Sequence, residues 1–287
     1  MQATGSQRGY LLEKFRLFHT VDQNELQVDW HFHAFDKIIF FRTGHTEYAV
    51  ESESVLLQPG DLLLVAYGQL HRMHAYADVP YERFILYLDS SYLASLAPEA
   101  GGLNACFARA RATGQSLLRL SDADRAAVLT LFTRLEKALQ DDSPYASTLS
   151  EALLTELLIL LCSAPEGRSA PPAPAGTDEK ITQALHYIQS HLGENLSCDT
   201  LAARLYMSRS SFQHRFKDAT GYSPHAYIRL KRLLYASELL TDGEPAILVG
   251  KKCGYTDHSA FCHAFTEQFG VTPSAFRPRN TLIGPEE

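Results

Sequence analysis

Between about residues 10 and 90 the hydrophobic positions come in short β-branched and aromatic runs, IIFF, LLLVAY and RFILYL. The turn signals Thr43-Gly44 and Pro59-Gly60-Asp61 separate them. Short strands at this spacing predict an antiparallel barrel or sandwich. From Ser121 the apolar period lengthens to that of a helix. Ser121, followed by Asp122 and Asp124, caps a segment with apolar residues at Ala127, Val128, Leu131 and Leu135. A second helix is predicted over about residues 145–162, with leucines at 149, 153, 154, 157, 158, 160 and 161. Apolar on more than one face, it needs burial on two sides. Packing against the strands and the 121–139 helix meets that need, and so does a dimer seam.

The stretch SAPEGRSAPPAPAGTD, residues 163–178, has no apolar period and reads as an extended linker. Beyond it the pattern repeats. Between SSFQHRFKDATGYSPHAYIR and SAFCHAFTEQFGVTPSAFR, at an offset of 49 residues, Ser210 meets Ser259, Phe212 meets Phe261 and His214 meets His263. Phe216 likewise meets Phe265, Gly221 meets Gly270, Pro224 meets Pro273 and Tyr227 meets Phe276. Each copy reads as helix-turn-helix. In the first, a short helix from about Cys198 to Leu205 meets a turn at Tyr206-Met207, and Ser208 caps the second helix. Leu201, Ala202, Leu205, Phe212 and Phe216 form its inner face. In the second copy Ile247 to Cys253 is the first helix, Gly254 the turn and Asp257 the next cap. Between the copies, Pro224 to Leu240 is one helix of about 25 Å, a spacer able to set two recognition helices in successive major grooves.

Charge sharpens this picture. The chain carries −7 in all, yet residues 1–177 hold 14 Lys and Arg against 21 Asp and Glu, whereas residues 178–287 balance at 12 and 12. Arg204, Arg209, Arg215, Lys217, Arg229, Lys231 and Arg232 stand against the single acid Asp218 within 29 residues, a local +6 suited to phosphates. The outward residues expected to meet DNA are Arg209, Ser210, Gln213, His214 and Lys217 from the first copy, and His258, Ser259 and His263 from the second. They are donors and acceptors of the kind that read base edges and phosphates.

These residues, above all GYSPHAYIRLKRLLYASELL and CGYTDHSAFCHAFTEQFGVTPSAFR, resemble the AraC-type family of bacterial transcription regulators over about residues 180–280. The resemblance implies a seven-helix double-motif domain that binds double-stranded promoter DNA. It also implies a homodimer, contact with RNA polymerase and a sensing domain that responds to a small-molecule effector. Three positions depart from the pattern. Tyr206 stands at the first turn, Gly250 replaces a usual alanine, and His263 replaces a common arginine, which weakens phosphate attraction at neutral pH.

The N-terminal half resembles, less specifically, a cupin-type barrel. The frame H-x-H, three residues, acid, six residues, Gly is met by His31-Phe32-His33, Ala34-Phe35-Asp36, Lys37, IIFFRT and Gly44. Lys37 stands there in place of the acid; the second frame, Gly, five residues, Pro-x-Gly-x-x-His, is met by Gly60, DLLLV and Ala66-Tyr67-Gly68-Gln69-Leu70-His71, with alanine in place of the proline. His31 and His33 alternate onto one side of their strand and converge with His71. Three imidazoles suit Zn²⁺ or Fe²⁺, but an ammonium at the fourth position repels a dication about 4 Å away by several kcal/mol at an intermediate dielectric. The set His31, His33, Lys37 and His71 is therefore read as a ligand pocket for a sugar or small anion, with no metal and no cofactor. Metal and purely structural histidines stand as the alternatives.

The fold class expected is α+β: a cupin-like antiparallel β-barrel with dimerisation helices over 1–162, a linker over 163–178, an all-α double helix-turn-helix domain over 179–280 and a tail over 281–287. The N-terminal arm, about Arg8 to Phe18, is expected to couple effector to assembly. No apolar run reaches the ~20 residues of a membrane span and no signal-peptide core opens the chain. The five scattered cysteines, Cys106, Cys162, Cys198, Cys253 and Cys262, read as reduced thiols. The expected setting is the bacterial cytoplasm, with no membrane partner. A ligand-responsive, non-enzymatic regulator is the reading reached, and a metal-dependent cupin enzyme with an appended helical domain is its competitor.

Overall fold

Alternation along the strands builds the first half of the chain in layers. The computed structural model describes residues 11–51, 53–100, 102–163, 178–241 and 243–276, in two units with Asp178 opening the second. The expected tail and all but the ends of the expected linker lie outside these residues. In the first unit β1 (Phe15–Asp22), β8 (Tyr81–Leu88), β3 (Asp36–Thr43), β6 (Asp61–Val65) and β9 (Leu117–Arg119) make one antiparallel sheet, in that order. A second sheet runs β2 (Leu26–His31), β7 (His71–Ala75), β4 (Thr46–Val50), β5 (Glu53–Leu56). The sheets pack face to face and no ladder joins them among the described residues, so the expected cupin-like barrel takes the form of two antiparallel sheets that do not close.

Strand β3 shows why its sequence is apolar without a break. Ile38 and Phe40 turn away from the second sheet and pack with Leu62, Leu64, Phe84, Leu86 and Leu88 against the helices. Ile39 and Phe41 face Tyr48, Val50, Val55, Met73 and Ala75 of the second sheet. A strand in the middle layer needs both faces apolar. The covering helices are α1 (Ser90–Ser95), α2 (Ala105–Thr113), α3 (Asp122–Leu139) and α4 (Ala146–Cys162). Ser121 Oγ caps α3 by accepting from the Asp124 amide at 3.2 Å. In α4 Leu153, Leu154, Leu157, Leu158 and Leu161 are buried, each removing a side chain from water at about 1.5–3 kcal/mol. The arm expected over residues 8–18 is, from Phe15 on, the edge strand β1 laddered to β8; its residues 8–10 lie outside the described set.

The second unit contains α5 (Glu179–Ser190), α6 (Cys198–Arg204), α7 (Arg209–Thr220), α8 (Pro224–Thr241), α9 (Ala246–Lys252) and α10 (His258–Phe269). Six helices are thus present among the described residues, against seven implied by resemblance. Side-chain caps set the starts of both second helices: Ser208 accepts from the Ser211 amide and Asp257 from the Ala260 amide. Gly221 and Gly270, both left-handed, close them. Leu233, Ala236 and Leu240 of α8 pack on Val249, Cys253, Phe261 and Phe265, while Phe216 meets Phe212 and Tyr227. The spacer helix thereby carries one motif on each end.

Candidate functional site

The three histidines expected to converge do so between the two sheets. The ring centres of His31 and His71 lie 4.1 Å apart, those of His31 and His33 4.9 Å and those of His33 and His71 4.8 Å. Their route there differs from simple strand alternation. The β2–β7 ladder carries an irregularity between Val28 and His31, and β2 ends at His31, so His33 stands beyond it. There His33 stacks on Phe35 at 4.6 Å, and Phe35 packs on Tyr87 at 4.4 Å. Lys37, on the inward side of β3, joins the group: its Nζ donates to the Tyr48 hydroxyl at 3.3 Å, and the Tyr48 ring stacks on His71 at 5.9 Å.

Hydrogen bonding fixes how two of the rings point. His31 Nδ1 is 2.7 Å from the Asp29 carbonyl and His71 Nδ1 is 3.0 Å from the Gln69 carbonyl. A carbonyl only accepts, so each Nδ1 carries the hydrogen and leaves Nε2 an acceptor. His71 Nε2 is buried with no hydrogen-bond partner. Burial, reinforced by Lys37 and the other two imidazoles, holds the His71 pKa well below the ordinary histidine value. Burial, with the charge of Arg83 adding to it, lowers Lys37 to about 7, and burial raises Tyr48 well above the ordinary phenol value.

The pocket thus has an imidazole edge, with His71 kept neutral by burial, and a basic edge at Lys37 and Arg83. Arg83 escaped the sequence reading. It is buried, its guanidinium pairs with Asp22 and lies over the Tyr81 ring at 3.9 Å, and its Nε has no hydrogen-bond partner. Strand parity in YERFILYL carried the signal, since Tyr81, Arg83, Ile85 and Tyr87 share one face. A divalent cation fits the donors in kind: the ligating nitrogens of His31, His33 and His71 all lie within 4.8 Å of one another, and a three-histidine set suits zinc. Asp36, next to Lys37, turns to the opposite face, where it accepts from the Tyr67 amide and the Ser90 hydroxyl and lends the group no charge.

In the second unit all eight residues expected to meet DNA are exposed. Ser210, Gln213, His214 and Lys217 share one face of α7, at i, i+3, i+4 and i+7. Several of the expected side chains are already engaged: Arg209 pairs with Asp199 at 3.2 Å, His214 with Asp218 at 2.6 Å, and Gln213 Nε2 donates to Cys198 Sγ at 3.8 Å. The local +6 is largely spent inside the fold. Arg204 covers the Tyr187 ring at 4.1 Å, Arg215 pairs with Asp178 at 2.5 Å, and Arg229 pairs with Glu267. Lys231 is buried beside Tyr227, and Arg232 donates to the Leu192 carbonyl at 3.0 Å. On α7, Lys217 has no ion pair among the described residues, and Arg209 keeps an exposed side chain beside Asp199. On α10, His258 contacts Cys262 at 3.4 Å, whereas His263 and Ser259 stand outward.

The turns explain two of the departures. Tyr206 has a left-handed φ of 53° and is 93% exposed; its counterpart Gly254 has φ 79°. A Cβ on Gly254 would lie 2.6 Å from the Leu192 carbonyl oxygen, so the second turn requires glycine. At Gly250 a Cβ would lie 2.9 Å from the Phe261 ring, which replaces the usual alanine by close packing of α9 on α10.

Two family models match the chain. That of the AraC-like ligand binding domain covers residues 17–158, and that of a helix-turn-helix domain covers residues 201–279. The chain is 24% identical over 258 residues to a probable transcriptional regulator, LumQ, of Photobacterium leiognathi, an alignment covering 86% of this chain and 91% of that protein. It is 31% identical over 113 residues to the regulatory protein PocR of Salmonella typhimurium, covering 39% of this chain and 37% of that relative. Among solved structures, the DNA-binding domain of AdpA in complex with a target DNA is 33% identical, with a TM-score of 0.33, over 34% of this chain and 88% of that one.

Proposed function

The chain belongs to the AraC-type family of DNA-binding transcription regulators with a ligand-binding domain, and we propose that it reads promoter DNA through α7 and α10 under control of an effector held between its two sheets. The reader comprises Arg209, Ser210, Gln213, His214 and Lys217 with His258, Ser259 and His263. The effector pocket comprises His31, His33, Lys37 and His71, with Tyr48 and Arg83 added. Its two edges favour a ligand with both hydroxyl donors and a negative charge, a sugar acid being the simplest. The protein works as a cytoplasmic homodimer that engages RNA polymerase, and it catalyses no reaction. One observation carries this reading: two capped helix-turn-helix units, each with a polar exposed tip, sit at the ends of one buried spacer helix.

Binding of variants to a promoter fragment and to scrambled duplex tests it. Gln213→Ala weakens promoter binding by ~1–3 kcal/mol and scrambled binding far less, because it removes a base contact. His214→Ala costs less than Gln213→Ala, since His214 must first leave Asp218. Lys217→Ala weakens both duplexes alike and lowers the salt slope by about one. Equal losses on both duplexes for all three variants would show that α7 is not the reader.

A second reading is favoured by the unpartnered Nε2 of His71: a divalent cation held by His31, His33 and His71. Such a cation would offer an open coordination position to an oxygen of the effector. Metal analysis of protein purified without chelator separates the two readings. About one zinc or iron per chain, lost in His71→Ala, establishes the cation; its absence leaves the pocket to the effector alone.

A further inference from the structure

Cys162 is the last residue of α4, and its sulfur sits over the start of α2. The Cys162 thiol donates to the Leu103 carbonyl at 3.5 Å, which places the sulfur at the start of α2, beside the backbone of Ala105 and Cys106. Arg109, one turn further along α2, donates to the carbonyls of Leu161 at 3.0 Å and of Cys162 at 3.2 Å, which brings its guanidinium to the same place. The side chain of Cys106 lies beside that of Cys162. Cys106 is only 1% exposed, packed within the helical core, whereas Cys162 reaches solvent in part.

We infer that Cys106 and Cys162 form a peroxide-sensitive dithiol in which Cys162 attacks and Cys106 resolves. The surroundings differ for the two sulfurs in the sense this requires. The Cys106 thiol, two helix-start amides and the Arg109 charge push Cys162 below the ordinary thiol value, so a thiolate forms there near neutral pH. Contact with that sulfur and burial push Cys106 up, so it stays a thiol until its partner is oxidised. Cys253, which burial raises to about 12 in spite of the nearby Arg232 and Lys252 charges, serves as an internal control.

The chemistry balances with a hydroperoxide as the oxidant. The Cys162 thiolate attacks one peroxide oxygen, forming an S–O bond as the O–O bond breaks, and the leaving oxygen departs as water after taking a proton. The Cys106 sulfur then attacks the Cys162 sulfur. An S–S bond forms, the S–O bond breaks, and the expelled hydroxide takes the Cys106 proton and leaves as a second water. Two thiols lose two electrons in all and one hydrogen peroxide becomes two waters. A dithiol reductant reverses the change. The disulfide ties the end of α4 to the start of α2, closing a loop of more than fifty residues. The inference stands apart from the reading of the effector pocket.

The test treats the reduced full-length protein with hydrogen peroxide, counts thiols and maps cross-linked peptides by mass spectrometry. Two of the five cysteines are lost per chain, in one peptide pair joining Cys106 to Cys162, and dithiothreitol restores both. In Cys106→Ser the oxidation stops at a Cys162 sulfenic acid that a cyclic 1,3-dione traps; in Cys162→Ser, Cys106 stays reduced. Labelling of the wild type by iodoacetamide at pH 7 needs no variant, and there Cys162 reacts at least roughly ten-fold faster than Cys253. Survival of both thiols through peroxide treatment, a first disulfide joining other cysteines or two chains, or Cys162 labelling no faster than Cys253 would overturn the inference.

Discussion

Lys37 carries a pH signature that the rest of the pocket cannot mimic. Burial lowers its pKa to about 7 from an unfolded value of 10.5, so between those values the unfolded chain holds a proton that the folded chain has shed. Stability then rises with pH across that window, and below it the cost of burying the ammonium is paid in full. A shift of this size is worth roughly a few kcal/mol. Urea unfolding at pH 7, 8 and 9 should show the wild-type midpoint climbing more steeply than the Lys37→Met midpoint, whose remaining slope comes from other groups lowered on folding such as Cys162; parallel curves would place the proton elsewhere. Tyr48 does not confuse the measurement, because its raised pKa affects stability only above about 10. The lysine and the three histidines were legible because their spacing survives without knowing the fold. Arg83 and the Cys106–Cys162 pair were not, since each acquires its meaning from a partner far along the chain: Arg83 from β3 across a ladder, Cys162 from a helix start 56 positions earlier.

Elements divide in the same way, by whether their cause is local. The helices α3, α6, α7 and α10 begin within a residue or two of their expected starts, because a cap and the first turn are neighbours in sequence. The strand β9, three residues long, pairs with β6 across more than fifty positions, and nothing in LLR announces it. The two-sided demand of α4 was legible, and the structure apportions it. One face lies in the core, and Leu149, Ala152, Glu156 and Ile159 form an exposed stripe at spacings of three, four and three. Leu149 is 45% exposed and Ile159 50%. That spacing suits the seam of the proposed homodimer. Leu149→Glu with Ile159→Glu should therefore convert the dimer to monomer in sedimentation analysis while changing the unfolding free energy of the monomer little, since both sites are solvated. A dimer that survives both charges would assign the seam to another surface.

At the scale of the whole chain, charge sets a tension that neither unit shows alone. The first 177 residues carry −7 and the remainder carries none, so the half that meets DNA is accompanied by a half that phosphate repels. The repulsion acts through solvent and fades over a Debye length, about 30 Å at 0.01 M salt and about 8 Å at 0.15 M. Most of the cations near α7 are engaged with α5, α8 and α10 or, for Arg209, with Asp199, so the attraction opposing it is modest, centred on Lys217. Non-specific binding should therefore be weak in the full chain and promoter recognition should rest on base contacts more than on charge, which favours selectivity. The comparison that tests this uses residues 178–287 against the full chain on a random duplex of about 20 base pairs, long enough for one pair of motifs and too short to engage two copies. The shorter chain should bind several-fold more tightly near 0.02 M salt, with the two affinities converging as salt approaches 0.2 M. Convergence follows because screening removes the acidic half's contribution while leaving the short-range phosphate contacts, common to both chains, in place. An advantage that persisted unchanged at high salt would instead point to a direct, short-range block of the reading helices by the first unit.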